Sequence, residues 1–194
     1  MLNPAIKKYI NEIVNQGKQE IIAGDRFKAV LVHAYVDLET QVLSYMRQSI
    51  DEMMETNETK QAMVLSSCMS ALIRLHKNKE LLQAAILISE AFLSQQEMTP
   101  EHKKMKDKSQ LPKNHGYIPA SEAPNRKEGL LVICCTKDKA TMEVHFFDRG
   151  VNGIEFLPPQ YGLDEHECPF GAMTKLFPEI LKKIIKMDGG LSSR

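Results

Sequence analysis

Residues 79–96, KELLQAAILISEAFLSQQ, decide how the first half of the chain is read. Leu81, Leu82, Ala85, Ile86, Ile88, Ala91, Phe92 and Leu93 leave almost no polar face. A helix of that kind has to be buried among others, and the flanking segments are expected to supply them. Residues 57–79, NETKQAMVLSSCMSALIRLHKNK, place Met63, Cys68, Ala71, Leu72 and Leu75 on one side. The charged run at 76–80 then reads as a short turn between two helices.

Further upstream, residues 25–56, DRFKAVLVHAYVDLETQVLSYMRQSIDEMMET, contain neither Pro nor Gly. Phe27, Val30, Leu31, Ala34, Tyr35, Leu38, Val42, Tyr45 and Met46 form a wide apolar stripe, and Asp25 suits an N-cap. One long helix is the expectation. At the start of the chain Pro4 fits a first helical turn. Ile6, Tyr9, Ile10, Ile13 and Val14 follow the three-four spacing of a buried face, Gly17 interrupts it and Gly24 ends it. Short connections favour antiparallel neighbours, so residues 1–98 are expected to form an antiparallel bundle of about four helices.

The character changes at Met98-Thr99-Pro100. Residues 99–128 contain Pro100, Pro112, Pro119 and Pro124 with few strong apolar residues, and read as a long linker or loop. Strands follow. Residues 130–136, LLVICCT, are continuously apolar, and 141–147, TMEVHFF, alternate, so a hairpin is expected across 137–140. Residues 153–157, GIEFL, add a third strand before Pro158-Pro159. Residues 171–187, GAMTKLFPEILKKIIKM, form an amphipathic stripe through Met173, Leu176, Phe177, Ile180, Leu181, Ile184 and Ile185. The fold class read from the sequence is therefore α+β. The bundle and the long loop are followed by a small antiparallel β-meander and a C-terminal amphipathic helix. The unit at 129–194 packs with the bundle as one domain.

Composition limits the function classes. The 194 residues are 43% hydrophobic and 26% charged, ordinary for a chain that buries a core. Lys+Arg and Asp+Glu are equal at 25 each, which does not advertise nucleic acid or an anionic membrane and tolerates association between copies. No run is apolar and long enough for a signal peptide core or a membrane span. Cys68, Cys134, Cys135 and Cys168 are sparse for a disulfide scaffold, so a reducing, cytoplasmic setting is expected.

Three sets of residues carry candidate chemistry. A hairpin in which Thr136 faces Thr141 puts Cys134 opposite Glu143 and Val132 opposite His145. Cys134, Glu143 and His145 then share one face as a candidate catalytic set, a thiol beside an imidazole and a carboxylate. Cys134, Cys135 and His145 could also converge with His166 and Cys168 as metal ligands, although the paired spacing of a strong zinc signature is missing. Buried cysteine acting as a small hydrophobe explains the same residues. Lys103, Lys104, Lys106, Lys108, Lys113, Arg126 and Lys127, interleaved with His102, His115 and Tyr117, would suit weak nucleic-acid binding. A solvated loop serves equally well, and no glycine-rich phosphate cradle is present.

The reading with least strain is a non-enzymatic protein-interaction module: an adaptor, scaffold or chaperone-like subunit of a larger assembly. No cofactor is expected. Its partners would be one or more proteins, with a homo-oligomer compatible. Met53 and Met54, with Leu176, Phe177, Ile180 and Ile184 of the last helix, are the expected partner-binding residues.

Overall fold

The computed structural model describes residues 2–50, 57–93, 124–162, 178–180 and 182–183. The expected helical bundle is overturned. One antiparallel sheet of seven strands dominates, with a helix against each face. The elements run α1 (Pro4–Ile22), β1 (Val30–Asp37), β2 (Leu43–Ser49), α2 (Asn57–Lys77), β3 (Glu80–Leu93), β4 (Lys127–Thr136), β5 (Ala140–Gly150), β6 (Gly153–Phe156) and β7 (Gln160–Tyr161). Their spatial order is β2-β1-β3-β4-β5-β6, and β7 pairs with β5.

α1 forms where expected. The Asn3 side chain accepts a hydrogen bond from Ala5 N at 2.9 Å, and Pro4 occupies the first turn. Gly17 does not interrupt the helix; it lets the helix approach the sheet. A Cβ there would lie 2.8 Å from Phe27 Cδ2 and 3.2 Å from Leu130 Cδ2. Gly24, at φ +88, turns the chain away.

Over its described residues, 25–50, the long helix expected over 25–56 is instead a loop followed by the β1–β2 hairpin. Val30, Val32 and Val36 favour a pleated strand, and β1 is buried from Val30 through Ala34. Asp37 reverses the chain by accepting from Glu39 N at 2.9 Å and Thr40 N at 2.6 Å. Gln41 takes the left-handed conformation at φ 57. No Gly or Pro marks this turn.

The helix expected over 79–96 is overturned in its described part, 79–93: Glu80–Leu93 is β3, at the centre of the sheet between β1 and β4. Its sides alternate between the two cores. Ala85 and Leu87 pack on the α2 side, and Ala84, Ile86 and Ile88 on the α1 side. A central strand covered on both faces is apolar at every position, which is why it resembles a buried helix. The register with β1 shifts between Ala34 and Tyr35, leaving Gln83 as a bulge residue, and Leu82 thereby joins Ala85 and Leu87.

α2 lies where expected, and its buried side is Val64, Cys68, Ala71, Leu72 and Leu75, with Met63 turned out. The β4–β5 hairpin and β6 also form as expected. The meander is not a separate small sheet, because β4 pairs with β3 along residues 127–136. Residues 178–180 and 182–183 are helical. The remainder of the last helix expected over 171–187, and the linker up to residue 123, fall outside the described residues. No helix among the described residues is long and apolar enough to cross a membrane.

Candidate functional site

β5 carries the densest polar chemistry. Met142, Val144 and Phe146 enter the core on the α2 side, so alternation turns Thr141, Glu143, His145 and Phe147 toward α1. His145 is buried, and its Nε2 lies 2.7 Å from Glu143 Oε1. The approach is off the N–H axis, and neither ring nitrogen has an aligned hydrogen-bond partner among the described residues. Tyr161 of β7 sits opposite Glu143 and hydrogen-bonds its carboxylate. Lys18 and Lys7 of α1 bring positive charge to the same place.

Desolvation governs the ionisation of this cluster. Burial pulls His145 down to about 4, and Lys18 acts in the same direction. Burial raises the Glu143 carboxyl, opposed by the Tyr161 hydrogen bond and by the two lysines. The charge of Glu143 in turn raises the Tyr161 hydroxyl. The one hydrogen bond in the arrangement joins Tyr161 to Glu143, whose carboxyl has increased proton affinity, and the imidazole lies beside that pair. Two surface grooves lie elsewhere. The larger, about 640 Å³, is lined by Glu20, Asp25, Arg26, Lys28, Val30, Arg47 and Ser49, and the second by residues 148 and 150–155.

The expected set of Cys134, Glu143 and His145 does share one face, but not the expected register. The hairpin closes on Thr136 N to Lys139 O at 2.9 Å, with Thr136 Oγ1 accepting from Asp138 N and Lys139 N. The side chain of Thr136 thus draws the turn in around Lys137-Asp138. Cys134 faces Thr141, Val132 faces Glu143 and Leu130 faces His145. A shift of two residues keeps the face and changes every neighbour. Cys134 and His145 are left roughly 13 Å apart along the strands. Burial pushes the Cys134 thiol up to about 12, against a lowering by Lys139, so it is protonated and weakly nucleophilic at neutral pH.

The metal-ligand expectation divides similarly. Cys134 packs toward α1 and Cys135 toward α2, and adjacent strand residues cannot point at one ion from opposite faces. Among the described residues no group of three or more His, Cys, Asp or Glu is placed to hold a metal. His166 and Cys168 lie outside the described residues, as do Met53, Met54, Leu176, Phe177 and Ile184. Ile180 is half-buried against the α2-side core. Of the basic loop, Arg126 lies over the Phe92 ring at 5.2 Å and Lys127 over Phe146 at 5.8 Å. The lysines from 103 to 113 lie outside the described residues.

Sequence reasoning missed two features. One is His33, fully buried on the α2 side with neither ring nitrogen hydrogen-bonded among the described residues. The other is the sheet edge at β2. Ile50 N bonds Ala29 O at 2.9 Å and Asp37 N bonds Val42 O at 3.2 Å. Antiparallel ladders alternate between bonded and non-bonded pairs, so Ser44, Met46 and Gln48 direct their backbone groups at β1. Leu43, Tyr45, Arg47 and Ser49 direct theirs away from it. Tyr45 stacks on Tyr9 of α1, ring centroids 3.9 Å apart, and Arg47 donates to Gln16 Oε1 at 3.3 Å. Only Leu43-Ser44-Tyr45 alternates, and Met46-Arg47 breaks the pattern, so β2 carries a weak strand signal. The continuous helical stripe read across 25–56 concealed it. The chain matches no family model, no curated protein and no solved structure.

Proposed function

We propose that this chain is a non-catalytic protein-interaction module, an adaptor or chaperone-like subunit, which receives a partner by strand addition at β2. The observation that carries the reading is the outward row of backbone N–H and C=O groups at Leu43, Tyr45, Arg47 and Ser49, unpaired among the described residues. Such an edge is a template for another strand, and proteins usually blunt it with Pro, Lys, a bulge or an inward charge. Residues 43–49, LSYMRQS, contain no Pro or Gly and one charge, Arg47, and the register with β1 is regular. Exposed Leu38 and Val42 extend the apolar surface at one end of the edge. The expected setting is the cytoplasm, where the buried free thiols of Cys68, Cys134 and Cys135 stay reduced.

Arg47→Pro tests the reading, because it removes an outward N–H and leaves the ladder with β1 intact. Tagged wild-type chain is compared with Arg47→Pro and with Val151→Ser in the distant β5–β6 turn. The bound partner should be lost with Arg47→Pro and kept with Val151→Ser. The same capture profile for all three chains rejects strand addition at β2.

A further inference from the structure

Resting on β2 as the binding edge, we infer that the strand added there is β2 of a second copy, paired antiparallel about a two-fold axis at Met46. Three observations converge on that occupant.

The first is hydrogen-bond phase. An antiparallel self-pairing centred on Met46 sets Leu43 against Ser49 of the second copy and Tyr45 against Arg47. These are the residues whose backbone groups point outward, and each such pair exchanges two N–H···O bonds. All seven residues of the strand take part. Centring the axis on Tyr45 or on Arg47 shortens the ladder.

The second is side-chain complementarity. About Met46, Arg47 falls opposite Tyr45 in both halves of the pair, which makes the guanidinium a cross-strand neighbour of the ring face that Tyr9 leaves open. Ser44 meets Gln48, and Met46 meets itself. Centring on Arg47 would place two like charges opposite each other, which destabilises a sheet. The chain's formal net charge of zero adds no general repulsion between copies.

The third is the contrast with the other end of the sheet. There β6 is only four residues long, Pro158 and Pro159 follow within three residues, and β7 adds a further two-residue strand. That end is blunted against addition by shortness and proline, whereas β2 presents seven residues with no Pro and a regular register, Arg47 being its one charge. A two-fold axis between the two β2 strands, normal to the sheet, continues the sheet and keeps both copies of α1 on the same side.

The test uses the complete chain. Wild type should sediment as a dimer at equilibrium from micromolar to millimolar concentration, and Arg47→Pro as a folded monomer by circular dichroism. Met46→Cys supplies the register. In a non-bonded pair the two α-carbons lie about 4.5 Å apart, within the range of about 4.4–6.8 Å that a disulfide bridges. Under mild oxidation Met46→Cys should cross-link nearly completely. Ser44→Cys and Gln48→Cys, made singly, should stay at the background set by the native cysteines. A monomeric wild type overturns the pairing, and so does equal cross-linking at positions 44, 46 and 48. The broader reading survives a monomeric wild type if Arg47→Pro still abolishes capture of a different partner. It falls as well if that capture is unchanged.

Discussion

Both faces of the sheet are closed by apolar helix side chains, but only α1 is drawn in at a glycine, and each face buries one histidine. On the α1 face the helix comes close because Gly17 has no side chain, and Phe27 and Leu130 fill the space a Cβ would need. On the α2 face the gap is filled by side chains of the helix itself, Val64, Cys68, Leu72 and Leu75. The α1-face histidine, His145, has Glu143 at 2.7 Å and exposed Tyr161 nearby. The α2-face histidine, His33, has no hydrogen-bond partner among the described residues. One face therefore depends on tight fit and keeps its imidazole among polar groups near the surface. The other depends on helix side chains and holds its imidazole without a hydrogen-bond partner among the described residues, within reach of the Arg74 charge.

The largest effect should come from breaking the tight fit. Phe27→Ala removes a fully buried ring from beneath α1 and should destabilise the fold by about 3–5 kcal/mol in urea unfolding. Gly17→Ala alone should cost about 1–3 kcal/mol, because the added methyl meets Phe27. In the Phe27→Ala background only Leu130 Cδ2, at 3.2 Å, still crowds that methyl, so the second cost should fall markedly. A double-mutant cycle reads the difference. Strictly additive values would mean that Gly17 does not set the approach of α1.

How much of this was legible differs between elements for physical reasons. α1 and α2 each have one covered face, so period and caps point to the helices. The β4–β5 hairpin was legible because β5 alternates. β3 was not, because helices cover both its faces and remove the polar positions from which a period is read. β1 has the same difficulty, and its turn hides the break: the Asp37 carboxylate and a left-handed Gln41 do the work usually signalled by Gly or Pro. For the candidate site, alternation placed Cys134, Glu143 and His145 on one face correctly. Register depended on a hydrogen bond from Thr136 N to Lys139 O that composition does not reveal. His33 was invisible because a lone imidazole in an apolar strand has no signature of its own.

The second prediction concerns that imidazole. Burial, with the charge of Arg74 acting the same way, holds His33 down to about 4 from an ordinary 6.5. The unfolded chain takes up a proton near 6.5 while the native one resists until about 4. Native stability is therefore fully present above pH 6.5 and declines as pH falls through that interval, by about 3 kcal/mol for this group. His33→Leu keeps an apolar side chain of similar size and removes the titration. Urea midpoints at pH 7 and pH 4.5 should differ markedly less for the variant than for wild type. Parallel loss in both would place the acid sensitivity elsewhere, with His145 on the opposite face as the next group to replace.

The smallest expected effect joins the tight face to the open edge. Tyr9 and Tyr45 stack at 3.9 Å with 12° between their planes, and Tyr45 is one of the residues whose backbone faces outward from β2. Favourably arranged aromatic pairs contribute about 0.5–1.5 kcal/mol beyond the area they bury, and so closely stacked a pair is expected at the lower end. A double-mutant cycle with Tyr9→Leu and Tyr45→Leu, measured by urea unfolding in the Arg47→Pro background, separates that coupling from any assembly of copies. A coupling in this range would mean that α1 holds the edge strand flat enough to receive another. A coupling near zero would mean that the ladder with β1 alone positions the edge. In that case Tyr9→Leu should leave strand addition unchanged, even though the stacked ring lies directly above it.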